Sequence, residues 1–321
     1  MASRHEQVSI RKRLSSIPLL RESYRQAKWL PNRVSDLHHS RPRRRLKTEV
    51  SDFIVALTSY PARIRTVHRT IESLRRQSVA PSRIVLVLSI EEFPERHLPA
   101  GLVRLKNTNL EILWTSGNLR SYKKLIPVRA QYPHETIVTV DDDVIYSRDF
   151  LGDLVAASKH RPDAIIGHRG WEMSADENGS FIPYQVLPPA TPQSPPDLTL
   201  LTGVGGIVYP PGSLPGGLLQ DADLARAVCP TADDIWFWAL ARVAGTTTIC
   251  LGSDPEPFRV IEALRDKEAL GYANVLGGQN DAQLEHAMAR FRLRDRILEV
   301  ASARRAQRHS LGSDRSTGGQ T

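Results

Sequence analysis

The sequence predicts an α/β protein built on a mostly parallel, doubly wound central sheet flanked by helices, with a less regular second half. Three observations predict it. Short apolar runs rich in β-branched residues recur between residues 53 and 140. Stretches with helical spacing separate them. The most acidic cluster and a polar, proline-containing turn each follow directly on the end of such a run. Strands covered by helices on both faces read as continuous apolar runs, and ligands of such sheets bind beyond the strands' carboxyl ends.

The elements follow in order. Phe53 to Leu57 reads as a buried strand, broken by Thr58-Ser59-Tyr60-Pro61. Ile64, Val67, Ile71 and Leu74 recur at helical spacing, which predicts a helix to about Gln77. Arg83 to Leu88 and Leu110 to Trp114 are the next strands, and Leu125 to Tyr132 is helical. Thr136 to Val140 is a fourth strand that runs straight into Asp141-Asp142-Asp143. Beyond it, Pro183 to Pro196 is proline-dense and reads as an extended loop. Residues 203–212 are glycine-rich around a short apolar strand. Thr231 is placed to cap a helix that carries Ile235 and Trp238. Thr246 to Leu251 is β-rich, and Gln283 to Val300 is the expected final helix.

Charge divides the 321 residues into three parts. Residues 1–50 hold 13 Lys and Arg against 4 Asp and Glu, and residues 301–321 hold 4 against 1. The net charge of +8 therefore sits at the two ends, and residues 51–300 are mildly acidic. The expected organisation is a basic leader (1–50, peripheral or partly disordered), a folded domain (51–300) and a basic disordered tail (301–321). An acidic centre argues against a nucleic-acid groove, which needs basic side chains along the phosphates. The leader, with Arg11-Lys12-Arg13 and the run Arg41 to Lys47, suits peripheral contact with an anionic membrane, and equally a solvated leader. Two cysteines, Cys229 and Cys250, lack zinc-ligand spacing and make no disulfide framework. No run approaches the roughly 20 apolar residues of a membrane span, and no secretory signal is read. The location expected is cytoplasmic, at the inner face of the membrane where the leader engages it.

Asp141-Asp142-Asp143 is the sharpest chemical signal. Three adjacent carboxylates repel one another unless a counter-charge is present. A hard divalent cation, Mn²⁺ or Mg²⁺, prefers oxygen ligands and bridges carboxylates to substrate phosphates. Alternate residues of extended chain share a face, so Asp141 and Asp143 are expected on one side with Asp142 turned away. Asp233-Asp234 opens a helix, where the macrodipole favours anions. With Trp236 and Trp238 beside it, the pair suits a general base next to an aromatic platform, and equally a plain helix terminus above core tryptophans. Lys123 and Lys124 can neutralise a diphosphate or lie on the surface. No nucleophile-elbow, P-loop or metalloprotease spacing is present, and the glycine cluster is not a dinucleotide fingerprint.

Five segments in this order resemble the GT-A glycosyltransferases, in particular bacterial family-2-like enzymes. They are Val55 to Ile64, Tyr122 to Pro127, Val138 to Val144, Thr231 to Phe237 and Gly277 to Gln283. The resemblance spans about residues 53–285 and implies a Rossmann-like GT-A fold. Residues 51–145 would form the nucleotide-binding half and 146–300 the acceptor-side, catalytic half. It implies transfer of a sugar from a nucleotide-sugar, a UDP-sugar foremost, to the hydroxyl of a glycan or lipid-linked acceptor. By that resemblance Asp143 coordinates the metal with Asp141, and Thr58, Tyr60, Arg63, Lys124, Asp141 and Asp142 hold the nucleotide-sugar. Gly205, Gly206 and Trp236 border the acceptor, and Asp234 is the base, with Asp233 its rival. The acidic pair of the family is often Glu-Asp, whereas here it is Asp-Asp. A metal-dependent nucleotidyl or phosphoryl transferase, or a non-catalytic nucleotide-sugar-binding domain, are the competing expectations.

Overall fold

The computed structural model describes residues 49–106, 109–252, 258–261 and 278–317, the side chains of 309–317 excepted. The basic leader, Glu49 and Val50 aside, lies outside the described residues, as does Gly277.

The centre is a seven-stranded sheet. Its strands are β1 (Ile54–Thr58), β2 (Arg83–Ser89), β3 (Leu110–Thr115), β4 (Ile137–Thr139), β5 (Ile165–Gly167), β6 (Ile207–Tyr209) and β7 (Thr248–Cys250). Their order across the sheet is β7-β5-β6-β4-β1-β2-β3. All neighbours are parallel except β6, which runs antiparallel to both β4 and β5. The mostly parallel α/β sheet expected from the sequence is the sheet observed. Both halves of the domain contribute strands to it.

Strand periodicity explains the two-sided burial. In β1, Ile54 and Ala56 face one core and Val55 and Leu57 the other. The same alternation divides Val85 and Val87 from Ile84, Leu86 and Leu88 in β2. On one face lie α1 (Val67–Arg75), through Val67, Ile71 and Leu74, and α2 (Phe150–His160), through Phe150, Leu151 and Leu154. On the other lies α3 (Asp233–Ala244), whose Ile235 to Ala241 are all buried. A helix apolar over most of its surface belongs inside a core; its charged residues are Asp233 and Asp234 in the first turn and the buried Arg242 in the last.

The order of strands reverses between β1 and β4. From β1 the chain adds β2 and β3 on one side, then returns to place β4 on the other. Ile54 lies opposite Ile137 and Ala56 opposite Thr139, so the carboxyl ends of β1 and β4 are adjacent. This is the switch point at which a doubly wound sheet leaves a crevice.

Three expectations are corrected. The helix after Thr231 starts at Asp233, with Ala232 at its cap position and no capping side chain. The final helix is two helices, α4 (Gln279–Arg290) and α5 (Arg294–Thr317), parted where Arg292 takes a left-handed φ of 53°. The tail 301–321 is not a disordered run, because residues 301–317 continue α5. The positive charges that suggested disorder are used: Arg304 and Arg308 pair with Glu172 at 3.4 and 2.8 Å, and Glu172 is fully buried. Among the described residues no helix is long and apolar enough to cross a membrane.

Candidate active site

Two loops meet at the switch point. The loop after β1 carries Ser59 and Arg63, and the loop after β4 carries the three aspartates. Ser59 donates its hydroxyl to Asp142 Oδ2 at 2.6 Å. Arg63 Nη1 lies 3.0 Å from Asp142 Oδ1 and 2.8 Å from Asp143 Oδ2. The Asp142 carbonyl accepts the hydroxyl of Thr70 in α1 at 2.8 Å. Asp142 is thus a buried anchor that ties both loops to α1. Both its carboxylate oxygens, expected at the nucleotide, are engaged by Ser59 and Arg63. Thr58 spends its hydroxyl on the Val87 carbonyl of β2 at 2.8 Å. Tyr60 is partly exposed, with the Arg63 guanidinium 5.5 Å from its ring centre, a cation–π contact.

Lys123 and Lys124 end a short 3₁₀ turn, Arg120–Lys124, and both are buried. Lys123 pairs with Glu92. Lys124 Nζ stands 3.1 Å from Asp141 Oδ1 and 3.1 Å from Asp233 Oδ2. One ammonium therefore joins the strand-end aspartates to the acidic pair heading α3, two runs that begin 92 residues apart in the chain. Tyr122 fixes the turn by donating its hydroxyl to the Cys229 carbonyl at 2.5 Å.

Gly203 completes the cluster. Its N–H donates to Asp234 Oδ2 at 3.0 Å. A Cβ at this position would stand 2.6 Å from Lys124 Nζ and 3.1 Å from Asp141 Oδ1, so a larger residue would have to push the ammonium aside. The two glycines expected at the acceptor side have other reasons. A Cβ on Gly205 would strike Arg169, and one on Gly206, whose φ is +69°, would strike the ring of Phe150. Trp236 is likewise moved from its expected role: it is fully buried and packs on Phe291 with ring centres 5.5 Å apart. Trp238 is also core. The sequence reading missed Gly203 within the glycine cluster; its one signal is that it is the first glycine after the strand at 199–201.

Gln283 supports the acidic pair from α4. Its Oε1 accepts the N–H groups of Thr231 and Ala232 at 2.9 and 3.0 Å. Its Nε2 donates to Thr231 Oγ1 at 2.9 Å. The backbone leading into Asp233 is thus held by a side chain of the fifth sequence segment.

The electrostatics separate the carboxylates. Burial, reinforced by Asp141 and opposed by Arg63, lifts Asp143 to about 6. Burial, with the charge of Asp233 added and Lys124 opposing, lifts Asp234 to about 7. A void of about 10 Å³ beside Asp234 is walled by Tyr209, Phe237 and Trp238, which is the apolar ground of that desolvation. Asp142 is also raised, by burial above all. Burial works to lower Lys124, but Asp141, Asp233 and Asp234 outweigh it and keep it protonated well above its ordinary value. Arg63 is raised too, because Asp143 and Asp142 overcome its burial. Asp234 Oδ1 and Asp233 Oδ2 are both buried without a hydrogen-bond partner among the described residues, and Asp233 Oδ2 has the ion pair with Lys124.

No three His, Cys, Asp or Glu side chains form a metal-binding group among the described residues. Asp141 and Asp143 carry the hard oxygen donors that a divalent cation takes, and Lys124 and Arg63 offset their charge here. Mg²⁺-type sites use one or two carboxylates and substrate phosphates rather than an all-protein cage. A cleft of about 540 Å³ opens between Asn118–Arg120, at the head of the 3₁₀ turn, and Asp223, Arg226, Ala227 and Pro230. None of the five aspartates lines it.

No family model matches the chain. No curated protein matches it either. Solved structures do. Residues 1–349 of S. aureus TarS in complex with UDP-GlcNAc share 18% identity over 78% of this chain and 71% of that one, with a TM-score of 0.45. The same portion in complex with UDP shares 17% over 78% and 70%, with a TM-score of 0.44. The 2-C-methyl-D-erythritol 4-phosphate cytidylyltransferase of Francisella tularensis shares 10% over 70% and 99%, with a TM-score of 0.40. Likeness at this level assigns no residue a role.

Proposed function

We propose that the protein is a glycosyltransferase that moves a sugar from a nucleotide-sugar, a UDP-sugar foremost, to an acceptor hydroxyl with inversion. One observation carries the reading. Two acidic runs distant in sequence converge on Lys124 at the switch point of a doubly wound sheet, where such sheets bind nucleotides. One run, Asp141 to Asp143, has the oxygen chemistry for a cation that accompanies a diphosphate. The other contains a carboxyl group poised near neutral pH.

The roles within the acidic pair differ. Asp233 forms the ion pair with Lys124, whereas Asp234 makes no ion pair among the described residues and is raised to about 7. We assign Asp234 as the base. It takes the proton of the acceptor hydroxyl as that oxygen bonds to the anomeric carbon. The bond from that carbon to the nucleoside diphosphate breaks on the opposite face, and inversion follows from the single displacement. The Gly203 N–H holds the other oxygen of Asp234 and aims the carboxylate. Asp143 and Asp141 would hold Mn²⁺ or Mg²⁺, which when bound offsets the charge growing on the departing diphosphate. Arg63 now occupies that flank of Asp143, so its guanidinium must yield there or turn to the phosphates. The acceptor is a glycan or lipid-linked hydroxyl that reaches Asp234; the cleft beside the 3₁₀ turn, which Asp234 does not line, is a neighbouring surface. That turn carries Lys124, and the residues after Pro230 lead into Asp233.

The test is product analysis with UDP- and GDP-sugars in the presence of Mn²⁺. Release of a nucleoside diphosphate, with sugar transferred to an acceptor or to water, is expected. Pyrophosphate release from a nucleoside triphosphate instead makes the protein a nucleotidyl transferase. Binding without any product makes it a nucleotide-sugar-binding domain.

A further inference from the structure

The geometry points to Lys124 as a positioning residue that holds the donor end and the base end of the site in register, not as a ligand of the donor's phosphates. The inference rests on the glycosyl-transfer reading above. An ammonium has three N–H donors. Here Nζ donates to Asp141 Oδ1 at 3.1 Å and stands in an ion pair with Asp233 Oδ2, also at 3.1 Å. Gly203 lies beside it, and a methyl group there would come within 2.6 Å of Nζ. The side chain is 6% exposed. Buried between two carboxylates, Nζ offers a phosphate oxygen little open surface.

What Lys124 does hold is the spacing between two acidic runs. Asp141 follows β4 and Asp233 begins α3, and Lys124 Nζ stands 3.1 Å from each carboxylate. Like charges drawn together out of water repel strongly, and the shared ammonium offsets that repulsion. Gly203 supplies the complementary half. Its N–H fixes Asp234, and its missing side chain leaves the slot that Nζ fills. Lys124 and Gly203 therefore act as a pair, and the aim of Asp234 depends on both.

The experiment compares Lys124→Met, Gly203→Ala and the double variant with the wild type, as full chains with Mn²⁺. The probes are UDP for affinity and the nucleotide-sugar that the wild type turns over for rate. Expected are UDP dissociation constants within about threefold of wild type, and turnover at saturating donor lower by about a hundredfold in each single variant. In the double variant the losses do not add, because Gly203→Ala has nothing left to displace. A crystal structure of Lys124→Met is expected to show the Asp141 and Asp233 carboxylates farther apart than in the wild type. Gly203→Ala retains the lysine's charge, so it carries the test should Lys124→Met fail to fold, and its crystal structure is then expected to show Nζ displaced from Asp141 or Asp233. A phosphate ligand gives the opposite pattern: UDP affinity weakened tenfold or more, with saturated turnover kept. That pattern, additive losses, or unmoved groups in the variant structures overturn the inference. The structural readout needs no turnover. A wild type that releases no nucleoside diphosphate from any nucleotide-sugar removes the glycosyl-transfer reading alone, and the separation of the carboxylates still decides the role of Lys124.

Discussion

Asp233 and Asp234 are the same residue twice, and their surroundings give them different work. Asp233 faces an ammonium, whereas Asp234 faces apolar rings and one backbone N–H. Asp234→Asn keeps the shape and removes the base, so donor affinity is expected to stay and turnover to fall by about 10²- to 10⁴-fold. Steady-state kinetics with donor affinity measured separately checks this, and near-normal turnover moves the base elsewhere. The pH dependence has a definite sign. Turnover rises with pH through about 7, as Asp234 loses its proton, and a flat profile between pH 5 and 8 contradicts the assignment. Stability runs the other way. The carboxyl is raised from 3.8 to about 7 in the folded protein, so its contribution is full below about 4 and is lost as pH climbs through 7. Asp234→Asn cannot ionise, and its melting temperature is expected to vary less between pH 4 and 8 than the wild type's. At this scale the aspartates and Lys124 were legible in the sequence as reactive groups. Which of them would be partnered was not, because the partners come from distant segments.

Elements carry these residues, and Gln283, Arg304 and Arg308 on the C-terminal helices tie the elements together. Gln283 in α4 satisfies two backbone N–H groups just ahead of α3. Gln283→Ala leaves them unpaired and is expected to cost about 1–3 kcal/mol. Denaturant melts measure that cost, and a drop in turnover should accompany it, since Asp233 follows directly. Glu172 anchors α5 through Arg304 and Arg308. Glu172→Ala strands two partly exposed arginines, so the loss is expected near the low end for broken buried pairs, about 3 kcal/mol, with UDP affinity unchanged. An unaltered melt would show that α5 is held by its apolar face alone. Periodicity announced the strands because both faces of β1 and β2 are buried, and burial on both faces demands unbroken apolar runs. It did not announce the break between α4 and α5, since Arg292 has no local signature of a left-handed residue. The arginine-rich end of α5 read as disordered because its counter-charge, Glu172, lies more than a hundred residues earlier.

At the scale of the whole molecule, the sheet order decides where chemistry can occur. Returning past β1 to place β4 brings two loop ends together, and a ligand bound there touches both halves of the fold. Such a ligand stabilises the folded chain by mass action. UDP with Mn²⁺ is expected to raise the melting temperature by several degrees, about 2.7 kcal/mol at a hundredfold excess over its dissociation constant. Chelating the metal, or Asp143→Ala, is expected to abolish the shift; a shift that survives both places the nucleotide without the ion. Composition and order along the chain were enough for the class of fold and for which carboxylates matter. Apolar runs, their periods and the acidic clusters that follow them are local properties, written in adjacent residues. The meeting of Asp141 with Asp233 on Lys124, the reason for Gly203 and the burial of Trp236 were decided by folding alone. Each depends on a distance between segments that lie far apart in the chain, and burial and charge compensation exist only once those distances close.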